Sequence, residues 1–441
     1  MKPLSIIVTM VAGVLVVVIG WMLGPGAAWW LEHVDGVTGL QGEKLAAAVD
    51  MVRGRALAVA TGLAALLAVY YTARNADTAR RTFQLGERGH DTDRYGKAAE
   101  QLGHDKAPVR LAGLYALEQL AQNNPSLRQR IVDLISAYLR MPYSPPRDDD
   151  QDDAWSAVPR AALGGRRDET GGRDPHEERQ VRLTAQRVLS AHLRRPPSEK
   201  RRRCQPDPPL PNDFWPDIRI DLSGALLIDL DLRECQIHTA RFNHVVFAGD
   251  THFDQAIFEG DADFSGAAFA GEAGFRSTTF TDDAEFDGST FVGDADFSGA
   301  KFTDTVGFHG AAFARTADFG GASFASGVWF GRAVFTGDAK FGGASCDEER
   351  IDCDGATFAG SAWFGGLIRG TEVSLQGAVL TPEAMRSLNV WPLGWGVEPH
   401  HQGGGMLRRQ AVSEERQQHE LRVQQWAQNI RVKRRMFSRF R

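Results

Sequence analysis

Apolar residues change rhythm along this chain, and the most regular stretch lies in its second half. From residue 222 they fall every fifth position: Leu222, Leu227, Leu232, Ile237, Phe242 and Phe247. Phenylalanine then continues the ruler at alternating gaps of six and five, a true period of eleven: Phe253, Phe258, Phe264, Phe269, Phe275, Phe280, Phe286, Phe291, Phe297, Phe302, Phe308, Phe313, Phe319, Phe324, Phe330, Phe335 and Phe341. Small residues stand two before many of these (Ala256, Ala262, Ala267, Ala273, Ala284), and glycine is frequent two after (Gly260, Gly266, Gly271, Gly288, Gly293). Self-similarity at a fixed period predicts a solenoid, in which each repeat buries its apolar side only against its neighbours. A ring and a small residue should alternate inward, each stacked on its copy one coil away, with backbones pairing at about 4.8 Å. Coils of 22 residues follow, with a bulged corner wherever the sixth residue recurs, eased by glycine. Between Cys346 and Cys353 the gap widens to seven, so a small loop (Asp347, Glu348, Glu349, Arg350) should protrude.

The front of the chain follows a different pattern. Leu4 to Leu23 is a run of 20 uncharged residues, long enough as a helix to cross a hydrocarbon core of about 30 Å. It is too long, and too poorly preceded by positive charge, for a secretory signal. A second run, Ala56 to Ala73, predicts a second membrane helix after a loop over 24–55. Trp21, Trp29, Trp30, Tyr70 and Tyr71 stand at the boundaries, where amphipathic rings prefer to sit. Arg74, Arg80, Arg81, Arg88, Arg94 and Lys97 follow the second run, against Lys44, Arg53 and Arg55 before it. That asymmetry favours both termini, and so the bulk of the chain, on the cytoplasmic side.

From Thr92 to Leu193 the period is helical. Ile131, Leu134, Ile135 and Tyr138 recur at i, i+3, i+4 and i+7, and Val181, Ala185, Val188 and Leu189 nearly do. Pro108 and Pro125 stand where a first helical turn tolerates a missing N–H, with Asn124 placed to cap the second helix. The expectation is a connector of paired, HEAT-like helices. Residues 143–178 interrupt it with Pro, Gly and the cluster Asp148, Asp149, Asp150, Asp152 and Asp153, too little apolar surface to offset ordering entropy, and read as a disordered loop. Pro196 to Pro216, with the basic run Lys200–Arg203, reads as a solvated hinge, and Phe214 and Trp215 are placed to plug the open end of the solenoid.

In the strict-five register Ala225, Leu230, Cys235 and Ala240 occupy the position two before each centre. With these units the stretch Leu222–Leu380 resembles the pentapeptide-repeat proteins, whose units run A-(D/N)-(L/F)-x-x. The resemblance implies a right-handed quadrilateral β-helix with one pentapeptide per side. The eleven-residue variant departs from strict fives, so a perfectly square section is not implied. The segment Thr92–Leu139, with Asp93–Tyr95 and Ala99–Leu111, and Gln180–Arg187 are also similar to the juxtamembrane part of actinobacterial membrane proteins carrying pentapeptide repeats, a group that brings no assigned activity.

Charge sharpens the picture. The net of −6 hides 26 acidic against 10 basic residues between Asp217 and Glu372, a local −16 that leaves about +10 elsewhere. Hydrophobic content of 43% is ordinary for a globular chain with some membrane sequence. Of the 50 basic residues 42 are Arg, which carries no functional weight. Cys204, Cys235, Cys346 and Cys353 form no C-x-x-C pair and read as small buried hydrophobes rather than disulfide, zinc or redox ligands.

Candidate chemistry is sparse. Asp261 to Glu272 matches a calcium-loop template at positions one, three, five, six and twelve, but lacks flanking helices, offers Ser265 at position five, and its sister unit puts Thr305 where the last acid belongs. His400 and His401 are adjacent and read as solvated tail. No phosphate loop, nucleophile elbow, zincin or dinucleotide motif occurs. Ser413 to Phe440 predicts a helix whose end (Arg431, Lys433, Arg434, Arg435, Arg439, Arg441) is basic and whose Val423, Trp426, Ile430 and Phe437 form a stripe. It would lie on an anionic membrane or cap the solenoid.

The whole reads as a mixed architecture: a transmembrane hairpin (1–75), an α-helical connector (76–195), a linker (196–213), the β-helix (214–380) and a tail with a basic helix (381–441). The expected role is a non-catalytic protein-interaction scaffold at the cell membrane, with no cofactor or metal. Its partners are a bilayer and an unidentified protein; nucleic acid is not an expected partner, and a homodimer is left open. The competing reading is regulation of gyrase by imitation of DNA, because some pentapeptide-repeat proteins resemble duplex DNA in width and charge.

Overall fold

A computed structural model describes residues 3–39, 42–146, 173–196, 213–347, 350–368, 371–399 and 403–410. The chain divides into two compact units, residues 1–93 and 94–441.

The first unit begins with helices α1 (Pro3–Leu23) and α2 (Gly26–His33) and most of α3 (Glu43–Leu102). Between Gly13–Leu23 and Gly26–His33 the helix axis bends by 81°. Gly26 permits this turn: a Cβ there would meet the Trp21 ring at 2.6 Å. Ala27 and Leu31 of α2 then pack on Val52 of α3. The expected loop over 24–55 therefore holds a helix and the start of another. Among the described residues one helical stretch, Glu43–Asp77, is long and apolar enough to cross a membrane, and none of its apolar window is buried among them. The first run makes a second crossing only if the bent pair counts as one span. The expected pair of spans thus reduces to one clear apolar helix, and α3 continues past residue 75 without a break.

The second unit places α4 (Ala107–Asn123), a 3-10 turn (Pro125–Leu127), α5 (Arg128–Arg140) and α6 (Pro175–Leu193) against the solenoid. Pro108 lies in the first turn of α4. Pro125 opens the 3-10 turn instead of α5, and Asn124 makes no side-chain cap bond. The cap that does form is Asp174, which accepts from the backbone N–H of His176 and Glu177 at the start of α6. Ile131, Ile135 and Tyr138 of α5 are buried with Val181, Ala185 and Leu189 of α6, in a core that runs on into the solenoid through Trp215, Ile218 and Ile220.

The solenoid makes about seven turns over residues 219–380. Its walls are four parallel sheets, taken in chain order as four faces. The first face runs from strand Arg219–Asp221 to Glu372–Ser374, the second from Leu226–Ile228 to Val379–Leu380. The third runs from Thr251–His252 to Ala362–Trp363, the fourth from Gln236–Ile237 to Ser345–Cys346. Register follows the spacing of the apolar centres. Ile220 pairs with Ala240, a coil of 20 built from strict fives. Ala240, Ala262 and Ala284 then pair in succession, coils of 22. Val328 pairs with Ile351, a coil of 23 that absorbs the widened gap after Cys346.

Every ruler phenylalanine from Phe242 to Phe341 is at most 2% exposed. Rings on one face stack face to face along the axis, as Phe264 on Phe286 (4.8 Å, 1°) and Phe269 on Phe291 (4.6 Å, 3°). Rings on adjoining faces meet edge to face, as Phe275 on Phe286 (5.5 Å, 89°). Both arrangements set the positive ring edge or an offset ring against the negative face. The glycines two after the centres serve two separate ends. Gly266 and Gly288 lie within five-residue intervals (Phe264 to Phe269, Phe286 to Phe291) and hold φ +64, the left-handed conformation their turn requires. Gly271 lies within a six-residue interval (Phe269 to Phe275) and against the coil next to it: a Cβ there would meet Gly249 backbone atoms at 2.5 Å.

Both ends are closed. At the first coil, Gln129 of α5 donates to the carbonyl of Arg219 (2.8 Å) and accepts from its N–H (3.0 Å). Gln186 of α6 makes the same pair with Ile228 (2.7 and 3.1 Å). Each side-chain amide occupies the ladder position a preceding coil would fill, so these strand edges are not left open. The plug is therefore α5 and α6 together with Trp215, rather than Phe214 and Trp215 alone. At the far end, Gly405–Arg409 pairs antiparallel with Val379–Leu380 and with Trp395–Pro399. Trp391 closes the ring columns over Phe358 and Phe364 (5.6 and 6.0 Å). Residues 381–410, expected as tail, thus supply a cap. The acidic cluster of the 143–178 loop, the basic run at 200–203, His400, His401 and the basic segment 413–440 lie outside the described residues.

Candidate interaction surfaces

With ring and small residue turned inward, the positions just before and after each centre face outward, and the four faces differ in what they carry. The first face presents Asp263, Glu285, Asp287, Asp352 and Asp354; the third presents Asp254, Asp296 and Asp318 with Arg276 and Lys340. These two faces are opposite walls of the coil. The fourth is mainly hydroxylic: Thr279, Thr281, Thr303 and Ser323, with Glu259, Lys301 and Asp347 toward its margins. The second carries no charge at these positions over six successive strands, Ala268–Phe269 through Val379–Leu380.

Most of the acidic side chains have a local task. Asp263, Asp296 and Asp318 accept from the backbone N–H two residues on (2.8 to 2.9 Å). Asp254, Asp287 and Asp354 accept from an N–H one coil away (2.7 to 3.0 Å). Carboxylates here tie down turn amides that the ladder leaves unpaired. The carboxyl of Asp296 lies below its ordinary range despite partial burial, because Ser298 and Arg276 hydrogen-bond to its charged form. Asp231 is held at about 2 by hydrogen bonds from Arg233.

The calcium-loop match does not assemble. Asp261 stands at the corner between the fourth and first faces, and Glu272 at the corner between the second and third. Among the described residues, Asp261 instead approaches Asp282 and Asp283, all three exposed.

One buried polar cluster, absent from the sequence reading, lies among the helices. Glu178 of α6 accepts from Tyr138 (2.8 Å) and from Arg182 (3.0 Å), while Arg110 of α4 stands 3.1 Å from its other oxygen as an ion pair without hydrogen-bond alignment. Arg182 also donates to the carbonyls of Leu139 and Met141 and lies over the Tyr143 ring. Burial and the Glu178 charge push the Tyr138 hydroxyl up, and burial lowers Arg182. Its helical spacing, Glu178 to Arg182, was visible in the sequence; that the pair faces inward was not.

A cleft of about 490 Å³ at the far end is lined by Leu367, Ile368, Trp391, Pro392 and Trp395, with Glu372 and Arg409 3.8 Å apart at its edge. It offers an apolar shape and one opposed charge pair. Cys235 and Cys353 are free and buried, and Cys346 is buried.

Residues 222–268, 253–301 and 297–345 each match the family described as pentapeptide repeats (9 copies). No curated protein and no solved structure matches the chain.

Proposed function

We propose, from the premise that residues 222–345 are pentapeptide repeats, that this chain is a membrane-anchored scaffold whose rigid solenoid presents its outer faces to protein partners on the cytoplasmic side. The observation that carries the anchored part is the helix Glu43–Asp77: Leu57, Leu66 and Val69 are 56 to 68% exposed, and none of its apolar window is buried among the described residues. In water each such side chain would forgo about 1.5–3 kcal/mol of burial; a bilayer supplies it. Basic residues after that helix favour the cytoplasmic placement. The scaffold part rests on walls whose outward side chains vary from coil to coil while the backbone repeats. The full-length chain should pellet with membranes and resist carbonate extraction, and a tag at the C-terminus should be protected in sealed, right-side-out cells. Recovery in the soluble fraction would overturn the anchored reading.

A second reading, imitation of DNA at gyrase, draws on the acidic first and third faces. Against it, one oxygen of most of those carboxylates is bound to a backbone amide, and Asp296 is paired with Arg276 at 2.7 Å. Adding the protein to a supercoiling assay tests it: inhibition at micromolar concentration would support the DNA-mimic reading, and its absence rejects it.

A further inference from the structure

We propose that the C-terminal segment Ser413–Phe440 of this chain lays its apolar stripe in the cleft at the far end of the solenoid and sets a glutamine amide against the last strand of the first face. The inference depends on neither the anchored nor the scaffold reading. The far cap is thinnest over that face. On the second face, Val379–Leu380 pairs with Gly405–Arg409. On the third, Val390 donates to the carbonyl of Ala362 (2.9 Å) and accepts from the N–H of Phe364 (2.8 Å). On the fourth, Ile368 donates to the carbonyl of Ala344 (3.0 Å), and the Thr371 hydroxyl accepts from the N–H of Cys346 (3.1 Å). Glu372–Ser374 of the first face ends its sheet. Ser374 bonds back to the preceding coil, accepting from Cys353 (2.8 Å). Successive residues of a parallel strand bond alternately to its two neighbours, so Val373, 6% exposed, turns its N–H and carbonyl away from the coils. The carbonyl accepts from the Trp395 indole (3.0 Å), and among the described residues no partner meets the N–H. This edge borders the cleft of Trp391 and Trp395, in which Ile368 and Leu393 are 43 and 41% exposed. An unpaired strand edge beside an apolar cleft calls for cover.

Three features select the occupant. The chain is delivered to the cleft: Arg409 lines it, and Gln410 donates to the carbonyl of Gly394 (2.7 Å). Ser413 is then within about 10 Å of extended chain, and so short a tether gives the segment an effective concentration that a separate molecule lacks. Residues 423–430, which hold Val423, Trp426 and Ile430 of the stripe, include no charged side chain, so seating them strips water from no ion. The glutamines repeat the device of the near end. There Gln129 stands two residues before the buried Ile131, and Gln186 two before the buried Val188. Gln424 stands two before Trp426 and Gln428 two before Ile430. A helix that buries the stripe therefore carries these amides on its flank at the offset by which α5 and α6 reach Arg219 and Ile228. The basic run from Arg431 lies beyond the docked part.

The test uses the full-length chain in detergent. Deleting residues 411–441 should speed hydrogen exchange at the Val373 amide about tenfold, as loss of one hydrogen bond does, with β-type circular dichroism retained. Gln424→Ala with Gln428→Ala in the intact chain should act in the same direction, and Arg434→Gln with Arg435→Gln should not. With Cys204 replaced by Ser, Ile368→Cys should form an intramolecular disulfide with Val423→Cys on mild oxidation but not with Gln425→Cys, which lies off the stripe. Equal linkage of both positions, or a Val373 exchange rate unchanged by the deletion, overturns the proposal. A disulfide formed only between one chain carrying Ile368→Cys and another carrying Val423→Cys would give the cleft to a second copy's segment. Loss of the intramolecular disulfide on adding anionic vesicles would give the segment to the membrane. Either result also overturns the proposal.

Discussion

The ring of Phe264 lies parallel to that of Phe286 one coil on, 4.8 Å away and within 1° of coplanar orientation. Phe286 is in turn 4.8 Å from Phe308, so each interior ring is clasped on both sides. In a solenoid stability is the sum of each coil's own terms and its two interfaces, so one ring serves two interfaces at once. Phe286→Ala should cost about 3–5 kcal/mol, measured by urea unfolding of the full chain. The same change at Phe364, whose outer neighbour is the tilted Trp391 at 6.0 Å, should cost less. Equal losses at the two sites would mean that ring stacking is not what couples the coils.

The ring ruler was legible because its reason is one-dimensional: the inward position recurs at fixed spacing, so Phe242 to Phe341 could be placed on the core without knowing what surrounds it. The end caps were not legible in that way. Gln129 and Gln186 sit in ordinary amphipathic helices, and nothing local marks their amides as substitutes for a missing coil. Only the packing of α5 and α6 on the first coil brings them to Arg219 and Ile228. The charge of the solenoid could be counted from sequence, but which acids stand on a wall, as Asp263 and Glu285 do on the first, and which at a corner, as Asp261 and Glu272 do, depended on the side each takes in the coil.

The two glycine populations separate by substitution. Ser277 holds the same turn position as Gly288 with φ +55, so a side chain is tolerated there. Gly288→Ala meets nothing within 4 Å and should cost about 1–2 kcal/mol for the left-handed backbone alone. Gly271→Ala would press on the backbone of Gly249 at 2.5 Å and should cost more, because coil spacing itself must open. Thermal unfolding of both variants checks the order; a milder effect at Gly271 would show that the coils yield there.

Among the described residues Glu178 is the single acid between Arg110 and Arg182, all three less than 5% exposed. Removing its charge leaves two buried guanidiniums without a counter-ion. Glu178→Gln should destabilise the second unit by about 3–5 kcal/mol. Arg110→Met combined with Glu178→Gln should recover part of that loss, since one uncompensated charge leaves with it. Trp215, buried against His192 at 4.0 Å, is a fluorescence reporter for the melt.

Burial pushes the Cys235 thiol up to about 12 and that of Cys353 well above its usual value. The thiolate is the reactive species, so neither should be alkylated at pH 8 while the coils are closed. Both should react once urea exceeds the unfolding midpoint. Labelling of Cys353 in the folded chain would mean that the coils around it open locally.

Asp231 accepts from Arg233 at 2.7 Å, and that bond is the largest cause of its fall from 3.8 to about 2. A carboxyl depressed in the folded chain contributes its stabilisation above its unfolded value and loses it as pH falls. The contribution should therefore be complete above about pH 4 and gone near pH 2. Both side chains are more than a third exposed, so water screens the pair and the effect should stay below about 1 kcal/mol. Arg233→Gln should raise the pH at which the first coil opens in acid without altering stability at pH 2, read by hydrogen exchange of the amide of Leu232, which bonds to the carbonyl of His252 in the next coil. A loss that persists unchanged at pH 2 would assign the arginine's effect to packing of its stem rather than to its charge.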